Sequence, residues 1–121
     1  MAISEMINSL KQHPDYSKMG MIASHLGVVR ENSLDGRMVR GIRIQFNDVE
    51  IQDIIHNTKK MDGIIDVLVE TYDGHLSVGD EIMAVVVGGD TREHVFPALI
   101  QTVDAIKKGG AVKNELFRDG E

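Results

Sequence analysis

The sequence predicts an α+β layer fold in which helices pack on a mainly antiparallel sheet. Three observations carry that expectation. Stretches with apolar residues at alternate positions recur along the chain, the signature of half-buried strands. Two such stretches follow one another directly, with no helix between them, which favours antiparallel neighbours over parallel crossovers. Helical spacing appears before, between and after the strands rather than regularly alternating with them.

Residues 2–12 have helical spacing, with Met6, Ile7 and Leu10 on one face and Ser4 as a candidate cap. His13-Pro14 ends this segment. Residues 20–30, GMIASHLGVVR, and 38–46, where Ile42, Ile44 and Phe46 alternate with Arg43 and Gln45, read as two strands. The Asp35-Gly36 turn between them predicts a hairpin. Asn47 or Asp48 then caps a helix running to about Met61, with acids at its start and Lys59-Lys60 at its end, as the helix dipole favours. Residues 64–72 alternate like a strand, and a loop through Gly74 and Gly79 leads to EIMAVVV, apolar enough to be buried on both faces. The last helix spans about Thr91 to Lys108, striped by Val95, Phe96, Leu99, Ile100, Val103 and Ile106 and stopped by Gly109-Gly110. Residues 111–121 are polar and are expected to form a mobile tail on a single domain covering residues 1–121.

Composition narrows the chemistry. The chain of 121 residues carries a net charge of −6, which disfavours broad phosphate-backbone binding and so nucleic-acid partners. It has no cysteine, so any sulfur chemistry must take its sulfur from a partner. No apolar run is long enough to span a membrane and no signal-peptide pattern opens the chain, so a cytoplasmic protein without a membrane partner is expected. The five histidines show no metal-ligand spacing, and no metal site or cofactor is predicted.

The stretch VVVGGDTREHVF holds the sharpest local signal. Asp90 and Glu93 have the spacing of a capping box. Arg92 does not suit that role, because a cation in the first turn opposes the helix dipole; beside free helix amides it instead suits a phosphate or carboxylate. Pro97 is tolerated if the helix starts near Arg92, and otherwise kinks it there. His25 lies within a strand and wants a partner there. Arg30 ends that strand, Lys107 and Lys108 complement the last helix's C-terminal dipole, and Lys113 has no such local role.

The segments GMIASHLGVVREN, HLSVGDEIMAVVVGGDTREHVFPALIQTVDAIKK and VKNE occur in an order that resembles the large, catalytic subunit of molybdopterin synthase, over about residues 18–115. The resemblance implies an α/β hammerhead fold and a sulfur-transfer activity. Cyclic pyranopterin monophosphate would be converted to molybdopterin with sulfur delivered as the C-terminal Gly-Gly thiocarboxylate of a ubiquitin-like small subunit. It also implies a homodimer within a heterotetramer. Carried over by position, Arg30 and Arg92 would bind substrate, with Thr91, His25, Lys107 and Lys108 around it, and Lys113 would be the catalytic lysine. Two guanidiniums would hold the anion bidentately.

The chain also departs from the family pattern. Thr91 stands where the family has histidine, His25 where an aromatic is usual, and no Trp precedes Lys113. These departures motivate a second reading, a non-catalytic relative that binds a ubiquitin-like tail or a small anion as a homodimer.

Overall fold

The computed structural model describes residues 3–120. Helix α1 (Ile3–Lys11) is followed by strands β1 (Met21–Val28) and β2 (Val39–Phe46), helix α2 (Asp48–Lys59), strands β3 (Ile64–Thr71), β4 (Gly74–Ser77) and β5 (Glu81–Gly89), helix α3 (Arg92–Ala105) and strand β6 (Ala111–Phe117). The strands form two three-stranded antiparallel sheets, ordered β1-β5-β3 and β4-β2-β6. The α+β class and the antiparallel pairing therefore match the sequence reading.

Strand β5 organises the first sheet. Val85, Val86 and Val87 have no solvent exposure, and each such burial is worth roughly 1.5–3 kcal/mol. Successive side chains point to opposite faces, so β5 needs a cover on both. On one face Ala84 and Val86 pack with Met6 and Leu10 of α1. On the other, Met83, Val85 and Val87 join Val95, Ala98 and Val103 of α3 and Ile42, Ile44 and Phe46 of β2. The second sheet thus lays one face on the core and keeps Arg43 and Gln45 outside. A buried hydroxyl pair, Thr58 and Thr102 at 2.7 Å, ties α2 to α3.

Four local expectations are corrected. The strands β1 and β2 do not form a hairpin: β1 pairs with β5, and β2 lies between β4 and β6. The turn between them does close, through an Asn32–Met38 bridge and the Val39 N–H bond to the Glu31 carbonyl, but the strands then diverge into different sheets. The segment expected to be a mobile tail is largely β6, paired with β2 from Val39 to Phe46. The loop expected after residue 72 contains β4. Ser4 lies inside α1 rather than capping it, whereas Asn47 caps α2 as expected, accepting the Glu50 N–H at 3.1 Å.

Candidate functional site

Helix α3 starts at Arg92, which places Pro97 in its second turn. Its N-cap is Thr91, whose side chain makes no cap bond, so the expected Asp90–Glu93 capping box is not formed. Asp90 instead accepts the Thr91 N–H at 2.6 Å and lies 2.8 Å from His94 Nδ1. Glu93 turns to Arg92, at 3.3 Å from its Nε. The Asp90 pair raises the His94 pKa above its usual value, and the same bond lowers that of Asp90. The glycine at Gly63, with φ +77°, makes room: a β-carbon there would collide with His94 Nδ1 and Asp90 Oδ1. The Asp90 N–H also bonds the Gly63 carbonyl at 2.9 Å. Sequence reading overlooked this Asp90–His94 pair, although its i, i+4 spacing was available.

His25 sits at mid-β1, opposite Val85. Its Nε2 is buried and lacks a hydrogen-bond partner. Burial, and then the charge of Lys107, lower its pKa and so disfavour protonation of the ring. A depression of about 250 Å³ opens beside it, lined by Ser24, Leu99, Ile100, Val103 and Asp104. Lys107 and Lys108 occupy the wide turn of residues 106–110 that leads into β6, where Lys113 stands opposite Ile44. The chain therefore gathers His25 with Lys107 and keeps the three lysines within a short stretch.

It does not bring the two arginines together. Met21 pairs with Gly89 and Val28 with Glu81, so Arg92 follows one end of the β1–β5 ladder and Arg30 the other. Seven residue steps at about 3.3 Å each separate those ends by about 23 Å. One phosphate cannot be held by both side chains of a single chain at that distance. Arg30 is exposed, as are Thr91 and Arg92.

Among the described residues no group of three or more His, Asp or Glu side chains is placed to hold a metal ion, and no helix is long and apolar enough to cross a membrane.

Solved structures define the fold class. A molybdopterin synthase from Staphylococcus aureus superposes with a TM-score of 0.73 at 19% identity, covering 90% of this chain and 87% of the other. A molybdopterin biosynthesis MoaE protein from Burkholderia ambifaria MC40-6 gives 0.77 at 21% identity, covering 99% and 80%. A complex of subunits 1 and 2 of molybdopterin-converting factor from Helicobacter pylori 26695 gives 0.71 at 14%, covering 98% and 81%. No curated protein matches the sequence. The architecture is that of the molybdopterin synthase large subunit. The chain belongs to the MoaE protein family, whose profile matches residues 2–109, and with it to molybdenum cofactor biosynthesis.

Proposed function

We propose that this chain is the large subunit of a molybdopterin synthase, transferring sulfur from a thiocarboxylated ubiquitin-like small subunit to cyclic pyranopterin monophosphate. Family membership supports the pathway. The cysteine-free sequence is compatible with the route, because sulfur must then come from another molecule, as it would on the partner's C-terminal Gly-Gly thiocarboxylate. In each transfer a carbon–sulfur bond to the pterin forms as a carbon–oxygen bond at the same carbon breaks, and the acyl carbon–sulfur bond then breaks, with water taking the acyl group as carboxylate. Lys113 is the lysine that moves the protons or forms the covalent anchor, with Lys107 and Lys108 beside the substrate anion.

The observation that carries the arrangement is the separation of Arg30 from Arg92. Strand β1 is the outer strand of its sheet, and its sequence MIASHLGV contains no Lys, Arg, Asp, Glu or Pro to guard that edge. Ser24, Leu26 and Val28 are exposed on it, and the exposed Ile100 of α3 lines the same depression as Ser24. Two copies pairing antiparallel along β1 about a twofold axis would set Arg30 of one copy near Arg92 of the partner subunit. The homodimer then makes two composite anion sites, each completed by a small subunit in a heterotetramer. Leu26→Glu, on an exposed position, is expected to give a folded monomer by sedimentation; an unchanged dimer would place the interface elsewhere.

The decisive assay supplies cyclic pyranopterin and thiocarboxylated small subunit to the purified chain. Dithiolene product is expected, and Lys113→Ala is expected to abolish it. Full activity of that variant would remove Lys113 from the mechanism. One observation favours the second reading of a non-catalytic relative: the family's histidine position is Thr91, and the nearby imidazole of His94 is turned to Asp90. Tight binding of the Gly-Gly partner without turnover would establish that reading instead.

A further inference from the structure

The outer face of the second sheet carries a feature with no part in the proposed reaction. Arg43, on the central strand β2, stands in register between His75 of β4 and Asn114 of β6. Directly opposed residues share a face and lie about 5 Å apart, so the three side chains form one row across the sheet. Gln45 and Val112, also paired, continue the same face. These residues line a groove of about 400 Å³, within the size range of small-molecule sites. At its β4 end Gly74 leaves open space where any side chain would project.

The electrostatics select the ligand. Arg43 has no hydrogen-bond or ion-pair partner among the described residues, although the chain carries a net charge of −6. The three strands hold Arg40, Arg43 and Lys113 against the single carboxylate of Glu115. Strand alternation puts Lys113 and Glu115, opposite Ile44 and Ile42, on the other face from Arg43. A planar guanidinium flanked by an imidazole and two carboxamides presents a row of donors, which complements the oxygens of an oxyanion. We propose that this groove binds a small-molecule oxyanion, a carboxylate or phosphate group seated on Arg43 between His75 and Asn114. The site is independent of the proposed sulfur transfer, and its test needs no turnover.

The test is a proton–nitrogen NMR titration of the whole chain with inorganic phosphate in one arm and acetate in the other. Saturable shifts at the Arg43 Nε and the Asn114 and Gln45 amides are expected in at least one arm, with dissociation constants on the order of millimolar, as suits an open groove. Saturation by phosphate alone assigns a phosphate ligand, and saturation by acetate alone a carboxylate. Arg43→Gln is expected to weaken binding at least tenfold while leaving the remaining spectrum in place. Linear, non-saturating shifts in both arms, or equal affinity in Arg43→Gln, would overturn the proposal.

Discussion

Replacing Gly63 by alanine tests whether the turn before β3 is shaped around the start of α3. Two costs arise. The backbone at φ +77° is left-handed, which costs an L-residue about 1–2 kcal/mol. The new β-carbon also meets His94 Nδ1 and Asp90 Oδ1, so the pair that closes the α3 N-terminus must move. Gly36 separates the two costs, because its φ of +89° is equally left-handed but nothing lies within 4 Å of its would-be β-carbon. For a chain of this size each kcal/mol shifts the melting temperature by about 4 °C, so Gly36→Ala is expected to lose about 4–8 °C by circular dichroism. Gly63→Ala is expected to lose more. Adding His94→Ala removes one of the two colliding groups, so the double variant is expected to recover part of the excess. A Gly63→Ala melt within about 1 °C of the Gly36→Ala melt would refute the reasoning.

Three further outcomes follow from the same packing. The Asp90–His94 pair has a pH window. A raised histidine stabilises fully below its unfolded value of 6.5 and loses the effect as pH rises through the folded value; a lowered aspartate stabilises fully above 3.8 and loses it as pH falls through its folded value. The stability difference between wild type and His94→Gln is therefore expected to peak between about pH 4 and 6.5; a flat difference across pH 4–9 would remove the linkage. Thr102→Val leaves the Thr58 hydroxyl, 4% exposed, without its partner, so urea unfolding is expected to show a loss of about 1–3 kcal/mol, partly restored in Thr58→Val/Thr102→Val. Lys107→Gln removes one of the two causes that lower the His25 pKa, so an NMR titration is expected to show it rise; an unchanged value would mean that burial alone sets it.

Much of the fold was legible because single elements announce themselves. The doubly apolar run of β5 needs covers on both faces, and the alternation of β2 needs one covered face and one open. What the sequence does not encode locally is which strand finds which. The Asp35-Gly36 turn forms, yet β5 offers β1 a longer apolar ladder, from Met21 to Val28, than β2 could, since β2 spends its ladder on β4 and β6. Strand β6 escaped notice because an outer strand is allowed to be polar: only Leu116 is buried, and Lys113, Asn114 and Glu115 supply the charge and polarity that guard an edge. The capping box failed for a similar reason. A capping box needs the Asp90 carboxylate to accept from the first-turn amides and Glu93 to accept the Asp90 N–H; instead the imidazole of His94, cleared by Gly63, took the carboxylate and the Gly63 carbonyl took the N–H. The Arg43 row was invisible for want of any sequence signal, since its members lie 32 and 71 residues apart and meet only through strand register.

The candidate site shows how position along a motif differs from position in space. Arg30 and Arg92 are the two arginines proposed for substrate, but β1 and β5 carry them to opposite ends of an antiparallel ladder. Antiparallel pairing is also what can reunite them, since a twofold axis across the β1 edge exchanges those ends. The same β1 residues that leave the edge unguarded, Ser24, Leu26 and Val28, alternate with Ala23, His25 and Gly27, which face β5's core side. Ser24 of that edge also lines the depression beside His25. In the proposed dimer the His25 ring would form a wall of the composite site, and its Nε2, set over Gly27, is a buried nitrogen without a hydrogen-bond partner among the described residues.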